Sequence, residues 1–111
     1  MSLDAKKHWI VLRATAVAAL PLCFWFVFSV VHLAGADYRA FTAWLGHPFN
    51  ALMMIIFIVL TFYHAALGCH EIIEDYVHAE PAKTLSLKIK GWAFLIVAAV
   101  CILSVLKVAF L

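Results

Sequence analysis

Three stretches of this chain carry no Asp, Glu, Lys or Arg, and their lengths decide its class. Residues 14–36, 48–70 and 91–106 are uncharged and mostly Ala, Val, Ile, Leu, Phe and Trp. Apolar residues fall on every face of a helix drawn through them, which is the pattern of a helix surrounded by lipid rather than one lying on a soluble core. A hydrocarbon core of about 30 Å takes about 20 helical residues. The first two stretches reach that length unaided. The third reaches it because Lys107 can snorkel to the far interface. The polar positions between them predict the connections. Residues 35–39 form the first, followed by a short amphipathic piece over 40–45 and a turn at Gly46-His47-Pro48. Pro48 suits the first turn of the second span. Residues 77–90 form the second connection, with Pro81 as its breaker and Lys83, Lys88 and Lys90 as anchors. The expectation is an all-α integral membrane protein, one domain over 1–111, with three transmembrane helices at about 14–36, 48–71 and 91–111.

Composition leads to the same class. Of the 111 residues 68% are hydrophobic and 13% charged, where a soluble domain has about 45–50% apolar residues. A net charge of +2 without a basic cluster removes nucleic acid as a partner. Cys23, Cys69 and Cys101 show no CxxC spacing and read as small apolar residues. Trp9 and Trp44 mark interfaces. Lys6, Lys7 and Arg13, with the three lysines of the second connection, outnumber Arg39 and Lys107 on the opposite side. The N-terminus is therefore expected on the cytoplasmic or matrix side. The run after Arg13 is too long for a signal-peptide core, so it is expected to stay as an anchor.

The candidate chemistry lies where the second span meets its polar edge, in the stretch from His64 to Tyr76. The 11 residue steps from His64 to Asp75 turn a helix by about 1,100°, which sets both on one face, about 20° and 16 Å apart. Gly68, one turn beyond His64, leaves that face open to a flat group or a neighbouring backbone. A histidine in lipid needs partners for its ring nitrogens, which a neighbouring helix or a haem iron can supply. No other histidine of the chain lies at the same depth on another helix, so a second axial ligand would come from another chain. Asp75 and Tyr76 suit a quinone head group: a phenol can donate to a carbonyl, and a carboxylate near water can relay protons. Taken singly they also read as a solvated acid and a belt tyrosine. Arg13 and Thr15 open the first span on the same inner side, and Arg13 suits lipid phosphate or a haem propionate equally well. His8 is a weaker propionate candidate. Glu71 and Glu74 read as solvated acids, with Glu74 a lesser candidate for proton conduction. His32, His47, His70 and His78 are given no ligand role.

The series His64-x-x-x-Gly68, then Asp75-Tyr76, with three spans and an early Arg13-Ala14-Thr15, resembles the small haem-bearing membrane-anchor subunit of succinate dehydrogenase, respiratory complex II. The three-span plan covers nearly the whole chain, and the specific motif covers the second helix. The resemblance implies a heterotetramer of the electron-transport chain and tricarboxylic acid cycle: a flavoprotein, an iron-sulfur protein, and two anchor chains that hold a b-type haem and reduce ubiquinone. It implies that His64 is one axial ligand to the haem iron, with the second ligand on the partner anchor. Tyr76 would hydrogen-bond the quinone, Asp75 would lie beside it, and Arg13 would lie near the propionates and the quinone pocket. The expected location is a bacterial inner membrane rather than a mitochondrial one.

Two further readings of the chain are open, the first structural and the second within electron transfer. One is a haem-free structural anchor in which His64 is only hydrogen-bonded. The other is the cytochrome b anchor of another quinone-linked dehydrogenase, such as a fumarate reductase. Succinate chemistry itself is not expected here, since the chain has no flavin or dinucleotide fingerprint and no domain to hold one. A proton-coupled transporter would place acids at the membrane centre, and here they cluster at one edge.

Overall fold

A computed structural model describes residues 3–111, so the first two residues of the interfacial N-terminal segment lie outside it. It contains four helices and no strand among the described residues: α1 (Leu3–His32), α2 (Tyr38–Gly46), α3 (Pro48–Tyr76) and α4 (Glu80–Phe110). The long helices have 30, 29 and 31 residues, about 45 Å each at 1.5 Å per residue. The molecule is 51 Å in its longest dimension, against about 40–45 Å for a bilayer with its headgroups. Each long helix therefore crosses the hydrocarbon and carries its ends into the interface or beyond. All three are long and apolar enough to cross a membrane.

Local chemistry sets the boundaries. α1 continues through Pro21 and ends at His32, and the chain reverses through Gly35, whose φ of +81° disfavours any side chain. Residues 33–36 thus form a turn outside the first span. Asp37 caps α2 by accepting from the Ala40 N–H at 2.8 Å. His47 closes α2 and opens α3 together: its N–H donates to the Trp44 carbonyl at 3.3 Å, and its ring Nδ1 accepts from the Phe49 N–H at 3.2 Å. Asn50 donates to the same Trp44 carbonyl at 2.9 Å. Pro48 stands in the first turn of α3, as its fixed φ favours.

The second connection is shorter than the sequence pattern indicates. α4 begins at Glu80, and Pro81 stands in its first turn rather than breaking the chain. A proline there gives up only an N–H that has no helical partner in any case. Residues 77–79 alone join α3 to α4, and the lysines read as loop anchors are on the first turns of α4.

α3 is the central element. It packs against both α1 and α4, while α1 and α4 do not pack against each other, and α2 lies across α3 and α4. Phe57 of α3 stacks on Phe26 of α1 with ring centres 4.7 Å apart, and Phe62 meets Phe94 of α4 edge-on at 6.4 Å. Residues 57 and 62 point about 140° apart on a helix, so the neighbours occupy nearly opposite sides of α3. Such a layered arrangement encloses little. Among the described residues, Leu22, Leu45, Ala51 and Val105 are the buried apolar ones and Thr15 is the buried polar one. Phe24, Phe28, Val31, Leu95 and Leu103 lie open, an apolar area that lipid or other protein must cover.

Candidate functional site

α1 and α3 meet along one seam, and the polar residues of the seam define the site. Reading along α3 from the membrane interior, the side facing α1 carries Phe57, His64 and Glu71, seven residues apart and nearly in line. His64 is half-buried and its Nδ1 lies 2.8 Å from the Thr15 hydroxyl of α1. Thr15 is 9% exposed and its hydroxyl also donates to the Leu12 carbonyl at 2.9 Å. The His64 Nε2 has no hydrogen-bond partner among the described residues. The ring therefore has one nitrogen engaged within the chain and one free.

Gly68 stands about 40° around α3 from His64, on the flank beside the seam. A Cβ built there meets nothing within 4 Å. The absence of a side chain is therefore not required by packing inside this chain, and the flank beside His64 is open to something larger. The free nitrogen and the open flank fit a flat metal-bearing group such as haem. Among the described residues no three His, Cys, Asp or Glu side chains gather as a metal cage, so His64 is a candidate single ligand rather than part of a metal cage within this chain.

Toward the inner end the seam turns ionisable. His8 of α1 has Nε2 3.1 Å from a Glu71 carboxylate oxygen. The contact lies off the hydrogen-bond direction, so it is a charge approach when His8 is protonated rather than an aligned hydrogen bond. His70 pairs with Glu74 one turn on at 3.2 Å, and its ring sits 5.7 Å from that of His8. These pairs are part-exposed, and each contributes at most about 1 kcal/mol. His8, read as a propionate candidate, thus lies against Glu71.

The remaining expected residues are not drawn into the seam. Asp75 and Tyr76 end α3, both exposed, with Tyr76 at 77%. Neither has a side-chain partner among the described residues, and they stand about 16 and 18 Å along α3 from His64. Arg13 projects from the other side of α1, about 160° around from Thr15. Its guanidinium lies 4.8 Å over the Trp9 ring. A groove of about 230 Å³ opens on the seam's other flank, lined by Lys7, His8, Val11, Tyr63 and Leu67.

Comparison with known proteins places the chain in a family. The model of the succinate dehydrogenase/fumarate reductase transmembrane subunits matches residues 4–105. The chain belongs to that family. The succinate dehydrogenase hydrophobic membrane anchor subunit of Paracoccus denitrificans is 31% identical, over 84% of this chain and 73% of its own length. That of Rickettsia prowazekii is 26% identical over 96% and 79%. The succinate dehydrogenase membrane anchor subunit of Reclinomonas americana is 30% identical over 76% and 72%. No solved structure matches the chain. The protein is an integral membrane anchor of the succinate dehydrogenase type, and its Rickettsia and Paracoccus relatives agree with a bacterial inner membrane.

Thr15 is the residue that sequence reasoning missed as a partner. It was legible as the polar residue opening the first span beside Arg13. Only the packing of α1 on α3 brings it to His64 across 49 residues of chain.

Proposed function

We propose that this anchor ligates a b-type haem through His64 and forms part of the ubiquinone-reduction site of a succinate:ubiquinone oxidoreductase. The observation that carries the reading is the His64 ring, with Nδ1 engaged by Thr15 and Nε2 without a partner among the described residues, one turn from a Gly68 whose missing side chain no packing within the chain requires. When bound, the haem supplies one-electron redox chemistry within the membrane. A second anchor chain would supply the other protein ligand to the haem. A flavoprotein and an iron-sulfur protein complete the heterotetramer on the cytoplasmic side, where the lysine and arginine asymmetry also puts the N-terminus. The isolated chain is not catalytic.

Tyr76 and Asp75 act at the polar end of α3. The Tyr76 hydroxyl donates a hydrogen bond to a quinone carbonyl, which orients the head group while its tail stays in lipid. Asp75, exposed at the helix end, takes up protons from water and passes them toward the reduced carbonyl oxygens. Arg13 is the candidate cation for a haem propionate or the quinone pocket. Because it projects from the outer side of α1, it serves such a group only where the group reaches past the α1–α3 seam. A fumarate reductase anchor remains the second reading, favoured by the breadth of the matching family.

The test is a reduced-minus-oxidised optical spectrum of the purified complex with wild-type chain and with His64→Ala. A low-spin b-type spectrum that is lost or turned high-spin in the variant supports the ligand assignment. A wild-type complex without haem leaves a structural anchor, and an unchanged spectrum in His64→Ala moves the ligand elsewhere.

A further inference from the structure

We propose that Thr15 is a positioning residue for His64: its hydroxyl holds the imidazole in the tautomer that presents a bare Nε2 to iron, and it strengthens that nitrogen as a donor. The inference rests on the reading of His64 as an axial ligand.

The proton count carries the assignment. A threonine hydroxyl has one proton to donate and lone pairs to accept with. The Leu12 carbonyl can only accept, and it lies 2.9 Å from Thr15 Oγ1 in donor geometry. With that proton committed to α1's own backbone, Oγ1 offers a lone pair to His64 Nδ1 at 2.8 Å. The bond at that distance is complementary only when Nδ1 carries the hydrogen. A neutral imidazole with its proton on Nδ1 has its lone pair on Nε2. The alternative tautomer would place two lone pairs face to face, or would take the Thr15 proton from Leu12 and put a hydrogen where the metal must bind.

The environment holds the arrangement. Thr15 is the buried polar residue of the described chain, at 9% exposure, and inside the hydrocarbon no water competes for its hydroxyl. The bond back to the preceding turn selects one of the two rotamers a helical threonine adopts. The oxygen is thus fixed relative to the α1 backbone, and through it the plane of the His64 ring on α3. An acceptor on the far side of a ligating imidazole also raises the basicity of the ligating nitrogen, which favours the more highly charged oxidised metal. Removing that acceptor therefore shifts the haem midpoint potential upward. Loss of such partners typically lowers metal-group affinity by roughly 10- to 100-fold.

The experiment compares the assembled complex carrying Thr15→Val, Thr15→Ala, Thr15→Ser or His64→Ala, with haem redox titration and haem release to apomyoglobin as readouts. Valine nearly preserves the shape and removes the oxygen, alanine removes both, and serine keeps the oxygen. The expected result is an upward shift of potential and faster haem release in both the valine and alanine variants, with serine close to wild type. Two results overturn the proposal while haem is still lost in His64→Ala: potential and release unchanged in the valine or alanine variant, or serine shifted as far as they are. Should valine and alanine prevent assembly, Thr15→Cys decides, since a thiol is a much weaker acceptor than a hydroxyl: an upward shift of potential supports the oxygen's role and a wild-type potential refutes it. Haem unchanged in His64→Ala refutes the ligand reading itself, separately from the role of Thr15.

Discussion

Gly68 offers a measurement that separates what this chain needs for itself from what it leaves open for another group. A Cβ at Gly68 meets nothing within 4 Å, so Gly68→Ala introduces no clash among the described residues. It should even firm α3, since glycine in a helix interior costs roughly 0.5–1 kcal/mol relative to alanine. Gly68→Leu extends the side chain onto the flank one turn from His64. If haem or a partner helix packs there, the extra volume acts as overpacking, at about 1–3 kcal/mol. At about 1.4 kcal/mol per tenfold, that is roughly a 5- to 150-fold loss of haem affinity. The assay is haem per purified complex and the rate of haem transfer to apomyoglobin, read beside the thermal stability of the complex. Wild-type haem content and release with Gly68→Leu, in a complex of unchanged stability, would refute the reasoning and leave the flank to lipid.

Two further substitutions probe the chain's own packing and the end of α3. Gly46 is tight where Gly68 is open: a Cβ there comes 3.3 Å from the backbone carbonyl of Ala109. Gly46→Val should therefore push α2 off α4 and lower the stability of the complex by about 1–3 kcal/mol, read as a lower midpoint of thermal or detergent denaturation, with an unchanged midpoint refuting the contact. Tyr76→Phe removes the proposed hydrogen bond to quinone, worth about 0.5–1.5 kcal/mol; the expected outcome is a roughly 2- to 12-fold rise in quinone KM in steady-state assays, with haem content unchanged.

The fold was legible because lipid imposes simple rules on sequence. Charge-free stretches long enough to span, tryptophans at their edges and a proline at position 48 were enough to find the three long helices and the start of α3. The second connection was not legible, because Pro81 reads the same whether it breaks a chain or begins a helix, and the choice depends on the residues that follow. The site was legible only along α3. His64, Gly68, Asp75 and Tyr76 share one helix, so their relative positions follow from helical rotation alone. Thr15, His8 and Arg13 lie on α1, and their distances from α3 depend on which face of α1 is turned inward. Spans that are apolar on every side give no periodicity from which to read that face. The structure turns Thr15 and His8 toward α3 and Arg13 away from it.

The layered packing bears on where the chemistry is completed. A chain that packs α1 and α4 on opposite sides of α3 leaves α3 with two uncovered flanks, and His64 and Gly68 border one of them. A four-helix bundle could have enclosed a haem within one chain, with facing histidines on two of its own helices. Here the helix facing His64 offers a threonine, and the second ring nitrogen has no partner among the described residues. A ligand set divided between chains would make haem binding part of assembly, since neither chain alone would hold the group from both sides. On this reasoning the layered arrangement is suited to its place in a larger complex: the faces it leaves open are those a partner anchor, a cofactor and lipid would cover.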